Sequence, residues 1–261
     1  MSLIDDKEID MLNSETTSGR PDATIEKQTK QLADYIIETG LKPLPLPAEF
    51  FYASLPLCVI DAVFSIGVTY TSTANTVTRF CERQGWAKSL VPDTPRTIGE
   101  HTINEFLALF DGLTAEQMAD DLFGNRQRTS TRSGILKAEA VRQYAEALQA
   151  NDIEDFGDMT ETSLTMIEKQ VRDIPGQGSG ISFDYFRMLA GNDNLIKPDR
   201  MVQRYVAKAT NMRSDRVTPE FAKSVLLSAI HVLAEQGYAW LPKKLDYTIW
   251  SFESGSQGIV S

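Results

Sequence analysis

The sequence predicts an all-α fold, and three observations predict it. Apolar residues recur at three- and four-residue spacing in one segment after another, as in Leu164, Ile167 and Val171 or Val202, Tyr205, Val206 and Ala209. No segment alternates with the period of two that a half-buried strand requires. Glycines and prolines punctuate the periodic runs, at Gly40, Gly85, Pro92, Pro95, Gly112 and from Pro175 to Gly180, where helices must stop.

Residues 1–23 are polar, acidic and aperiodic, and read as a disordered leader. A helix starts at Thr24, carries Leu32, Ile36 and Ile37 on one side and ends near Gly40; Pro43, Pro45 and Pro47 then enforce an extended connector, so that 24–50 form one unit. Residues 50–80 are the most apolar stretch and read as a central helix pair, with 57–68 apolar nearly all round and therefore buried on several sides. Asp61 inside that run reads either as a hydrogen-bonded structural carboxylate or as a pocket residue. Helices are expected over 71–84, 98–110, 114–122, 139–148 and 161–171. Between them, 124–134 is polar, basic and bounded by glycines, and reads as an exposed loop suited to an anion or as a plain connector. Later helices are expected to about Ala190, from Asp199 to about Asn211, over 218–236 behind Thr218-Pro219-Glu220, and over 242–252. The tail over 254–261 reads as frayed.

At 261 residues the chain suits one two-lobed domain or two small ones. Cys58 and Cys81 lack ligand spacing and read as buried thiols, and with only His101 and His231 a histidine-built metal site is not expected. No apolar run of spanning length and no signal pattern is present, so the expectation is a cytoplasmic monomer without membrane contact, metal or cofactor. A formal charge of −10 argues against a polyanionic partner until its distribution is read. Residues 1–50 hold 10 acids against 5 bases, whereas 169–216 hold 9 bases against 5 acids and 122–144 hold 5 bases against Glu139 alone. Two basic segments on an acidic body can form a stripe facing nucleic acid, or can be ordinary solvated helix faces.

The segment Ile174-Pro175-Gly176-Gln177-Gly178-Ser179-Gly180-Ile181-Ser182 reads as a tight hairpin between two helices. Gly176 and Gly178 are free to take positive φ, and backbone amides at the start of the next helix can then approach a phosphate. About twenty residues on stands Lys197-Pro198-Asp199-Arg200. Asp199 fits a helix N-cap and equally a carboxylate offered at a helix start. The hairpin together with the spaced Asp resembles the helix-hairpin-helix DNA glycosylases related to endonuclease III, and the likeness runs over roughly residues 50–210. Residues 62–70, Ala-Val-Phe-Ser-Ile-Gly-Val-Thr-Tyr, resemble that family's segment leading to a duplex wedge, with Ser65 matched, Gly67 at the usual wedge position and Tyr70 as a substitute or a packing residue.

The resemblance implies two helical lobes with a cleft between them: a six-helix barrel with the hairpin over 51–190, and a second lobe from both chain ends, 24–50 and 191–253. It implies double-stranded DNA as partner and Asp199 as the catalytic group. Gly176, Gln177, Gly178, Ser179, Gly180, Lys197, Arg200 and Arg204 would bind the DNA backbone. Asp61, Ser65, Tyr70, Asn125, Arg126, Arg128 and Lys137 would form the base pocket or a DNA-facing loop. No cysteine follows Cys81, so the iron-sulfur cluster of many relatives is absent. Bifunctional relatives carry a Lys where Gly180 stands, so the expected reaction is hydrolytic excision of a damaged or hypermodified base, such as a glucosylated cytosine of viral DNA, without strand cleavage. A non-catalytic helix-hairpin-helix DNA-binding module and a helical protein-interaction domain are the alternatives.

Overall fold

The computed structural model describes residues 23–90, 100–131 and 133–255; the expected leader over 1–22, Pro92, Pro95, Ile98, Arg132 and the tail over 256–261 lie outside them. Among the described residues eleven α-helices follow one another: α1 (Ala23–Glu38), α2 (Leu55–Phe64), α3 (Tyr70–Gln84), α4 (Ile103–Ala108), α5 (Ala115–Gln117), α6 (Lys137–Gln149), α7 (Glu161–Asp173), α8 (Ile181–Leu189), α9 (Arg200–Thr210), α10 (Pro219–Glu235) and α11 (Pro242–Glu253). Pairing of extended segments is limited there to two isolated bridges, Tyr52 with Ser89 and Arg128 with Leu136, and the class is all-α.

Local chemistry sets most helix ends. Thr102 and Glu105 form a capping box, which starts α4 at Ile103 rather than at the expected 98. Thr114 with Gln117 and Thr160 with Ser163 do the same for α5 and α7, and Thr218 caps α10 ahead of Pro219. Gly85 and Asn211 close α3 and α9 in the left-handed conformation. The helix expected over 114–122 changes pitch at Met118 and finishes as a π-helical stretch, Met118–Phe123. That stretch buries Met118, Ala119, Leu122 and Phe123, while Arg83 and Arg79 satisfy the carbonyls of Asp120, Asp121 and Phe123.

Two hydrophobic cores result. In the larger one every residue of α2 is buried, and α3, α4, α6 and α8 pack around that helix. The smaller core joins α1 to α9, α10 and α11 through Leu32, Ile36, Tyr205, Val206, Leu226, Leu245 and Ile249. The first described helix thus completes a bundle made otherwise of the last three described. The chain crosses between the cores twice, through the proline connector before α2 and through the segment between α8 and α9.

Candidate functional site

Both crossings and the turn after α2 border one cavity of about 210 Å³ between the cores. Pro47 and Phe50 come from the connector, Ser65, Val68 and Tyr70 from the turn between α2 and α3, and Tyr185 from α8. Lys197 and Asp199 come from the approach to α9, and Asp246, Tyr247 and Trp250 from α11. Five aromatic rings and three charged groups therefore share a small space.

Asp199 is the N-cap of α9. Its Oδ1 accepts the amides of Met201 at 2.8 Å and Val202 at 3.2 Å, satisfying two donors that the first turn leaves without helical partners. Both bonds end on one oxygen, and the residue also lines the cavity.

Lys197, expected on the DNA backbone, points inward instead. Its ammonium donates to Ser65 Oγ at 3.0 Å and sits 3.5 Å from the centre of the Tyr185 ring. The physical reason is the field at that point. Burial pulls its pKa below the usual lysine value, while Asp199, Asp61 and Asp246 raise it and so favour the charge. Asp246 Oδ1 accepts the Lys197 backbone N–H at 2.8 Å. Burial, then the charge of Asp199, pushes the Asp246 carboxyl well above its usual value.

Asp61 takes the structural alternative: it is buried in α2 and accepts the Tyr52 hydroxyl at 2.9 Å. Lys137 is not part of an exposed loop. It is 1% exposed, and its ammonium donates to the carbonyls of Phe64 at 2.9 Å and Ile66 at 2.7 Å, satisfying the end of α2. Ser65 lines the cavity, and so does Tyr70, 36% exposed, with its ring edge-on to Trp250 at 5.6 Å.

The loop over 124–134 is pinned rather than loose. Asn125 donates to Thr76 Oγ1 at 2.8 Å, Gln127 to Ser72 Oγ at 3.0 Å and Arg128 to the Gly134 carbonyl at 3.0 Å, while Arg126 pairs with Asp120. Asn125, Arg126 and Arg128 thus bond to groups of the protein itself, the two arginines while remaining exposed. The loop also reaches the hairpin, since a Cβ at Gly176 would lie 2.4 Å from Thr129 Cβ.

In the hairpin, Gly176 (φ 91°) and Gly180 (φ 74°) take the left-handed conformation, and Gly178 does not. Gly178 is free to take it but does not use that freedom; the turn reverses one residue pair later, at the residue that opens α8. Gln177, expected to offer its backbone amide to a phosphate, donates that amide to the Ile174 carbonyl at 2.9 Å, and its side chain is 2% exposed. Ser179 remains exposed and accepts the Ile181 amide at 3.4 Å. Arg172 covers Gly180 so closely that a Cβ there would lie 2.4 Å from its Nη2. Arg200 and Arg204 lie exposed on α9.

Sequence reasoning missed Phe50, Tyr185, Asp246, Tyr247 and Trp250 as site residues. One signal was available for Asp246: an acid on the Leu245 and Ile249 side of an amphipathic helix raises the same question as Asp61. Among the described residues no helix is long and apolar enough to cross a membrane, and no group of three or more His, Cys, Asp and Glu side chains is arranged to hold a metal.

A family model described as "Domain of unknown function (DUF8548)" matches residues 30–254, and the chain belongs to that family. No curated protein and no solved structure matches it. The matched span contains both cores and every residue that lines the cavity.

Proposed function

We propose that the protein is a DNA glycosylase that turns a modified base out of the duplex and hydrolyses its N-glycosidic bond, leaving an abasic site. One observation carries the reading: the carboxylate that caps α9 also lines a cavity between two helical cores, at the sequence distance from a glycine hairpin that the endonuclease III relatives share.

The start of α8, which has no side-chain cap, is suited to a phosphate, because first-turn amides carry partial positive charge and the Arg172 guanidinium lies against Gly180. Arg200 and Arg204 would add cations on the exposed side of α9. Tyr185 lies five residues along α8 from Gly180, roughly 7.5 Å of helix axis, so a gripped backbone and an occupied cavity are within a nucleotide or two of each other. Turning the base out costs a few kcal/mol and is least costly at a mispaired or modified base. In the cavity, Asp199 Oδ2 would face the sugar and stabilise positive charge developing at C1′ while water adds there. Gly180 offers no amine for a covalent intermediate, and Arg172 occupies the space beside it, so the reaction proposed is hydrolytic, with no strand cleavage.

The test is base release from duplexes carrying a range of modified bases, revealed by hot alkali, for wild type and Asp199→Asn. Asparagine caps a helix nearly as well as aspartate, so the variant should fold and bind duplex while release falls by at least about 100-fold. Unchanged function in Asp199→Asn points to the alternative, a binding module that keeps the hairpin as a clamp. Absence of salt-dependent duplex binding in the wild type removes both readings.

A further inference from the structure

Lys197 and Asp199 reach the same cavity from one short segment, so an occupant meets a cation and an anion at neighbouring points of the wall. An ammonium has three donors. One goes to Ser65 Oγ at 3.0 Å, and the charge rests over Tyr185, 3.5 Å from the ring centre. A second ring of the cavity, Phe50, carries the Lys243 ammonium at 5.6 Å. The other three rings turn edges and faces to one another: Tyr247 meets Phe50 at 6.1 Å and Trp250 at 6.4 Å, and Trp250 meets Tyr70 at 5.6 Å. Aromatic faces attract cationic ligands, but here Tyr185 already holds the Lys197 ammonium and Phe50 faces that of Lys243, so two of the five rings are taken by resident cations.

Bond cleavage supplies the complementary half. When the C1′–N bond breaks, its electron pair stays with the base. A base alkylated to a cation departs neutral, whereas a neutral base departs as an anion. For a neutral pyrimidine the pair delocalises from N1 onto the adjacent O2, water adds to C1′, and the water's proton ends on the base or in solvent. The transition state is then positive at the sugar and negative at the base, the pattern that Asp199 and Lys197 match.

Resting on the glycosylase reading, we infer that Lys197 contacts the departing base, and that the cavity is selective for neutral modified pyrimidines over cationic alkylpurines.

Single-turnover release is measured with the full chain on duplexes containing uracil, 5-hydroxymethylcytosine, its glucosylated form, or 7-methylguanine. Wild type should release at least one of the pyrimidines about ten-fold or more faster than 7-methylguanine. Lys197→Met should slow that pyrimidine by roughly 100-fold and change 7-methylguanine by less than about three-fold, while Lys197→Arg, which keeps the charge, restores most of the pyrimidine rate. Thermal unfolding shows whether the Met variant is folded; if it is not, the wild-type preference and the Arg variant still decide. Preference for 7-methylguanine in an Asp199-dependent reaction, or equal losses on both base classes in a folded Lys197→Met, overturns the inference and keeps the glycosylase reading. Release of no base by wild type overturns both.

Discussion

Two helix starts, nineteen residues apart along the chain, are built in opposite ways. α8 opens at Gly180, with no side-chain cap and a long 3.4 Å bond from the Ile181 amide to Ser179. α9 opens at Asp199, whose carboxylate takes two amides at 2.8 and 3.2 Å. The same partial charge at a helix N-terminus therefore meets no side-chain cap in one case, where the Arg172 guanidinium lies against Gly180, and the protein's own anion in the other. The contrast teaches that a helix start can serve either as a receptor or as a pedestal, and that one side chain decides which.

The sharpest way to break the contrast is at residue 199. Asp199→Ala removes both cap and charge, whereas Asp199→Asn removes the charge alone. Both should lose base release by about 100-fold or more, but in urea unfolding the Ala variant alone should lose about 1 kcal/mol. Equal stability of the two would mean that the bonds to Met201 and Val202 contribute little.

Lys137 supports the pedestal side by holding the last carbonyls of α2, next to Ser65. Lys137→Met should destabilise by roughly 2 to 3 kcal/mol at neutral pH, because it leaves buried carbonyls unpaired. Burial pulls this ammonium down from 10.5 to about 8. Between those values the unfolded chain binds more protons than the folded one, so the contribution to stability rises with pH from about 8 to 10.5. Denaturation of wild type against Lys137→Met across that window should show the two diverging as pH rises. A parallel course would remove the shift.

On the receptor side, Gly176→Ala brings a Cβ to 2.4 Å from Thr129 at φ 91°, and should cost about 2 kcal/mol in left-handed strain alone. Gly178→Ala, with nothing closer than 3.7 Å, should stay within about 1 kcal/mol of wild type. The pair asks whether the turn or merely its small residues matter. The smallest effect is expected from Arg200→Ala and Arg204→Ala. Each should weaken duplex binding a few-fold and lower the salt slope by about 1 if it meets a phosphate, as fluorescence anisotropy over a salt series would show.

Much of the architecture was legible because its causes are local. Capping residues and helical spacing marked α7, α9, α10 and α11 to within a residue or two, and the hairpin before α8 announced itself through its glycines. Less legible were features set by partners distant in the chain. The helix expected over 114–122 becomes π-helical where it packs on α3 and α6, and the loop after it is held by Thr76 and Ser72 of α3. Lys137 and Gln177 look like surface residues by type, and both are buried by contacts that no window of sequence contains.

By itself the sequence determined the helical class, the starts and stops of α7, α9, α10 and α11, and the presence of an acid at the head of α9, since backbone geometry and capping act within four residues. Tertiary structure alone decided that Lys197 faces inward, that Asp246 meets it from α11, and that Phe50, Tyr185 and Trp250 close around them. Burial and charge fields depend on what arrives from elsewhere in the chain, and only the packed cores bring those segments together.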